Sequence, residues 1–228
     1  LKNALKIVLV LFCFALTTGL NDLQNNRIKI FEEFIGADYT ELLNLKAKSF
    51  ERFLSVNYPS LPYKEACYSY LNTIRNGGHY EANWSYEGTN RKKIDSLFVS
   101  SGFQKEIRWS PDTVWWENGS VRMEYRYIDG CDTASIEDGE MWSPRFGSNP
   151  NIDSILEAVK QMSDFNPYGR YYRALDLIKS SDPTIINYLD AKKAGGDIEP
   201  SLVAGGILHH NPDLSDYFIK RIIVVELY

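Results

Sequence analysis

Two strand-like runs, Thr113 to Glu117 and Val121 to Ile128, are separated by Asn118-Gly119, and this arrangement constrains the fold more than any other feature of the chain. Asn-Gly accepts the left-handed backbone that a tight hairpin turn demands, and the flanking runs carry the alternating, aromatic-rich pattern of half-buried strands. The middle of the chain is therefore expected to fold back on itself as antiparallel sheet. The stretch Phe103 to Trp109 has a similar character, and a short helix is expected before it, from about Asn90 to Ser101, ended by Gly102. Trp84, Tyr86, Trp109, Trp115, Trp116, Tyr125, Tyr127 and Trp142 are all concentrated between His79 and Phe146.

On both sides of this section the period changes from two to between three and four. Leu43, Ala47, Phe50 and Leu54 recur at helical spacing, as do Ala66, Tyr70, Leu71 and Ile74 after Pro59 and Pro62, which predicts two or three amphipathic helices from Asn21 to Asn76. Gly77 and Gly78 supply a left-handed stop. Beyond Phe146, Pro150, Pro167, Pro183 and Pro212 each follow Asn or Asp, and Pro200 follows Glu199. An Asn or Asp cap with proline at the first helical position is a sound helix start, so each proline is expected to open a short helix. Their regular spacing raises two readings, helical hairpins stacked side by side or the coincidence of capped helices in an ordinary bundle, and the latter is preferred. For the end of the chain, the face Leu214, Tyr217, Phe218, Ile222 and Val225 favours helix over strand, although Ile222 to Val225 is an unbroken β-branched run. The expected class is α+β: mainly helical, with a small aromatic-rich antiparallel sheet in the middle third.

The first nineteen residues read as an export signal. Lys2 and Lys6 precede an unbroken apolar run from Ile7 to Leu16, and Thr17, Thr18 and Gly19 follow. A ten-residue helix reaches only about 15 Å, half of the ~30 Å hydrocarbon layer, so the run suits translocation better than anchoring. Cleavage after Thr17 or Gly19 would leave residues 20–228 as one globular unit, with a helical part at 20–78, a β-containing part at 79–146 and a second helical part at 147–228. Its localisation is then periplasmic or secreted, without stable insertion in a membrane.

Removal of residues 1–19 takes away two of the 25 basic residues and none of the 30 acidic ones. That acidic excess argues against a nucleic-acid binder or a polybasic membrane binder. Two cysteines, Cys67 and Cys131, would remain, and in an oxidising compartment they are expected to pair as a disulfide, two buried thiols being the alternative.

Few residues suggest chemistry. His79, His209 and His210 are the only histidines, and neighbouring side chains on a helix diverge by about 100°, so a metal site is not expected. The acidic segment Asp129 to Glu140 lacks the ligand spacing of a calcium loop and reads as a solvated turn. There is no P-loop, dinucleotide fingerprint or Gly-x-Ser-x-Gly turn, so no cofactor is called for. Trp84, Trp109, Trp115 and Trp116 could stack on sugar rings, with Glu117 and Glu124 as an acid and base pair, although a half-buried sheet uses the same residues for packing. The reading is an exported binding or interaction protein with a protein or glycan partner; the alternative is a carbohydrate-active hydrolase or sugar-binding protein.

Overall fold

Gly36 divides the first long helical segment in two. Its backbone, at φ 92° and ψ 155°, lies in a region essentially reserved for glycine, so the chain turns there between α1 (residues 22–35) and α2 (Ala37–Asn57). The structure, a computed structural model, describes residues 22–77, 88–128, 134–141, 151–180 and 182–228. Helix α3 (Tyr63–Arg75) follows the Pro59 and Pro62 break and stops at Gly77, φ 76°. Three helices thus occupy the segment for which two or three are expected. Helix α4 (Gly88–Ser100) ends at left-handed Gly102, as its sequence indicates.

The hairpin forms where Asn118-Gly119 places it. Strands β2 (Thr113–Glu117) and β3 (Ser120–Ile128) pair antiparallel, with Glu117 opposite Ser120 and Thr113 opposite Glu124. Asn118 and Gly119 both have positive φ, 51° and 85°, the signature of the turn whose twist matches its strands. Strand β4 (Ala134–Met141) completes the sheet, in the order β2-β3-β4. This corrects the expectation of a solvated turn through Glu140: its acidic residues lower strand propensity, but the edge of β3 offers a full ladder, and pairing overrides propensity. Residues 129–133 lie outside the described residues.

Phe103 to Trp109 is a strand only at its end. Phe103–Glu106 is a 3₁₀ turn, and Arg108–Trp109 forms β1, which pairs with β5 (Asp164–Phe165). Phe103 is fully buried against Tyr39 and Phe98, so packing of one ring bends a segment whose composition suits an extended strand.

The prolines give a divided result. Pro183 opens α7 (Pro183–Gly195) behind an Asp182 cap, and Pro200 opens α8 (Pro200–His210). The other three helices start later than expected: α5 (Ile152–Lys160) is capped by Asn151, α6 (Arg170–Ile178) follows Gly169, and α9 (Tyr217–Glu226) is capped by Asp216. At Asn166-Pro167 the Asn side chain is spent on a turn, accepting from Tyr168 N at 3.1 Å and donating to Lys105 O at 2.7 Å. Asn211 closes α8 in the left-handed region and does not open α9. At Asn166-Pro167 and Asn211-Pro212 the proline sits in the connection that precedes the helix, which begins three to five residues later, while Asn149 and Pro150 lie outside the described residues.

Helix α6 has no cap of its own. The carboxylate of Glu106, from the 3₁₀ turn, accepts from Arg170 N at 2.8 Å and from Arg170 Nε at 2.9 Å, neutralising the helix start from 64 residues away. This contact needs Gly169: a Cβ there would lie 2.0 Å from Glu106 O.

The main core joins α1–α4 to α6–α9, with Phe31, Phe50, Phe53, Tyr171 and Phe218 fully buried. Helix α6 packs on α7 and α7 on α8, whereas α9 turns inward against α2, α7 and α8. Ile222, Ile223 and Val224 in α9 are wholly buried, which accounts for the β-branched run: a helix enclosed on all sides is apolar all round. The chain end is pinned by Tyr70 Oη, which donates to Leu227 O, and by Ser49 and Tyr228, whose hydroxyls are 2.8 Å apart. The sheet has its own small cluster of Val121, Met123 and Val159, where β2 and β3 rest on α5.

Candidate functional site

Strand alternation sends the aromatic candidates in different directions. Trp116 lies on the inner face of the sheet, against Val121, Met123 and Val159, while Trp115 is on the outer face and 36% exposed. Trp109 stands on β1, its ring 4.8 Å from Tyr125 and 5.8 Å from Tyr168. Trp84 lies outside the described residues. Trp109, Trp115 and Trp116 therefore do not line a common groove.

The two carboxylates share the outer face but sit at opposite ends of the hairpin. Four ladder positions separate Glu117 from Glu124, about 14 Å at ~3.4 Å per residue. A glycosidase pair needs roughly 5 to 10 Å. Each carboxylate is also matched by a cation: Glu117 by Arg122 at 3.4 Å and Glu124 by Arg126 at 3.0 Å. Both carboxylates thus take part in a charged sheet surface, at a spacing wider than such a pair uses.

The expected disulfide is absent. Cys67 is a free thiol, fully buried in α3, and burial pushes it up to about 12. Its position in the apolar face of the helix, between Ala66 and Tyr70, commits it to the core and away from any exposed partner. Cys131 and His79 lie outside the described residues. His209 and His210 are at the end of α8, where the Asn187 amide donates to His210 Nε2 at 2.9 Å. Among the described residues, no three His, Cys, Asp or Glu side chains gather closely enough to hold a metal ion.

The strongest polar constellation involves none of the residues singled out in the sequence. Lys192 of α7 is 1% exposed, and its ammonium lies 3.0 Å from the Glu226 carboxylate of α9, itself 3% exposed. Tyr172 and Tyr188 donate to Glu226 Oε1 at 2.8 and 2.5 Å. Burial holds both phenols well above the ordinary tyrosine range, so they remain neutral donors. Lys192 also meets Asp197 at 3.6 Å, and Asp197 meets Arg108 of β1 at 3.0 Å. Positive and negative charges alternate through this chain, so it locks α6, α7, α9 and β1 together without leaving a reactive group unmatched.

Two rings of that locked region form part of a half-open cavity of about 220 Å³. Phe165 and Tyr172 have the Lys192 ammonium 5.6 and 5.9 Å from their ring centres. Phe34 of α1 and Leu189 of α7 complete the apolar wall, and Arg173, Asp176 and Lys193 stand at the rim. The Lys193 hydrogen bond, followed by that from Lys179, holds Asp176 below the usual carboxylate range. The cavity is thus apolar in its depth, charged at its mouth and built on helices whose packing fixes it.

Sequence reasoning missed both features because each is assembled from separate elements, the brace from α6, α7, α9 and β1 and the cavity from α1 and residues 165–193. The spacing from Pro167 and Pro183 sets Tyr172 and Tyr188 on an apolar stripe, but nothing local says that Glu226 or Phe34 lies near them. Comparison with protein-family models, curated proteins and solved structures finds no match for this chain.

Proposed function

We propose that this is an exported binding protein of the cell envelope or extracellular space. The observation that carries the reading is the cavity between α1, α6 and α7, which combines an apolar wall with charged groups at its mouth. Binding sites are commonly built this way, with a few polar groups orienting a ligand over apolar side chains. The absence of a close carboxylate pair at Glu117 and Glu124 also favours binding over hydrolysis. Export is supported by the basic, apolar and small-residue succession of residues 1–19. No helix of the described residues is long and apolar enough to cross a membrane.

Fractionation and affinity capture test the two parts separately. A reporter fused behind residues 1–25 should leave the cytoplasm, and retention would remove the export reading. Affinity capture from envelope extract with residues 20–228 should recover a partner or small molecule, and substitutions at the cavity rim should reduce the recovery. Recovery unaffected by those substitutions would place binding elsewhere.

A sugar-binding surface is the second reading. It is favoured by exposed Trp115 beside the Arg122 and Glu117 pair on the outer sheet face. Quenching of tryptophan fluorescence by a polysaccharide panel, lost in Trp115→Ala, would support it; no response across the panel would remove it.

A further inference from the structure

We infer that the cavity between α1, α6 and α7 takes a small monocarboxylic acid with an apolar body. This deepens the binding reading above and depends on it. The rim holds two cations, Arg173 and Lys193, and a single carboxylate, Asp176. Asp176 Oδ1 already accepts from Lys193 at 2.8 Å and from Lys179 at 2.9 Å, so one acid is shared by two ammonium groups. Arg173 forms no ion pair with the described residues; its guanidinium lies 5.4 Å from the Phe34 ring centre, a contact that leaves its hydrogen-bonding edge open to a ligand. The mouth is therefore locally positive on a chain whose formal net charge is −5.

A carboxylate matches this mouth in charge and shape. The guanidinium can present two parallel N–H groups to its two oxygens, and Lys193 adds an ammonium nearby. The apolar body of the acid would displace water from Phe165, Tyr172 and Leu189. A volume of about 220 Å³ limits that body to one ring or a short branched chain, since larger ligands commonly occupy about 300 to 1,000 Å³. Net positive charge at the mouth disfavours cations, and a neutral analogue would leave the Arg173 charge without a partner.

Calorimetric titration of residues 20–228 with benzoate, phenylacetate and isovalerate, each beside its neutral amide, tests the assignment. The acids should bind about tenfold or more tightly than the amides, weaken as salt is added, and lose about tenfold in affinity in Arg173→Gln. Arg173 is only half-buried, and an unchanged circular dichroism spectrum and melting temperature would show that the variant folds. Lys64→Gln, on a different helix, should bind like the parent. Equal binding of acids and amides, or full affinity in Arg173→Gln, overturns the carboxylate assignment but leaves a binding cavity in place. No binding of any probe at millimolar concentration overturns it too, and the envelope capture then decides the broader reading independently.

Discussion

The helical body and the β2-β3-β4 sheet use similar aromatic-rich sequence but are held by different amounts of packing. In the body, α1–α4 and α6–α9 share one core in which rings meet edge to face, as Phe31 does with Tyr171 at 6.3 Å and Phe218 at 5.6 Å. Among the described side chains of the sheet, Val121 and Met123 are the buried apolar ones, packed against Val159, and the outer face carries partly exposed ion pairs around Trp115. Surface pairs of that kind contribute about 0 to 1 kcal/mol each. The difference teaches that aromatic density alone does not locate a core. The sheet should open at a lower free energy than the body, whereas the cavity is built where the body is most firmly braced.

The largest test of this contrast is the junction inside the body between the 3₁₀ turn and α6. Gly169→Ala would drive a methyl group into Glu106 O, separating α6 from its remote cap, and should cost about 4 kcal/mol or more. Thermal unfolding checks it; a loss below about 1 kcal/mol would mean that the junction yields easily. Next comes the brace itself. Lys192→Met leaves the Glu226 carboxylate buried without its cation and should cost about 3 kcal/mol, with exchange protection lost in α7 and α9 together. If only α7 responded, the brace would not couple the two helices.

Val121→Ala should act locally, costing about 1 to 2 kcal/mol within the sheet. Amide exchange would quicken in β2 and β3 while the slowest amides of α2 and α9 kept their protection. A uniform loss would join the sheet and the body into one cooperative unit. The smallest effect concerns Asp213 before α9, where hydrogen bonds from Ser215, followed by that from Lys64, hold the carboxyl at about 2. Its folded value is depressed, so its contribution is present above the ordinary carboxylate range and is lost as pH falls from about 4 to 2. Because Asp213 is exposed, the difference in melting temperature between the parent and Asp213→Asn should be small above pH 5 and vanish near pH 2.

Much of the local structure was legible before any tertiary contact was known. The hairpin turn at Asn118-Gly119, the helix stops at Gly77 and Gly102 and the starts at Pro183 and Pro200 all follow from backbone conformations that only certain residues adopt cheaply. The terminal helix was legible from its spacing in spite of its β-branched run. The start of α6 was not, because its cap is Glu106; nor was β4, because its acidic composition resembles a turn until an edge strand pairs with it.

The candidate site was scarcely legible at all. Trp109, Trp115 and Trp116 were visible as residues, but alternation sets Trp115 on the face of the sheet opposite Trp116. Cys67 suggested a bridge by parity of number, and its burial in α3 leaves it a free thiol. Sequence by itself determined the α+β class, the hairpin and the helical flanks, since those depend on preferences expressed within a few residues. Only the tertiary structure decided that Phe34, Phe165, Tyr172 and Leu189 share a cavity and that Lys192 meets Glu226. Such meetings depend on which faces are buried together, a balance summed over the whole core that no short window of sequence contains.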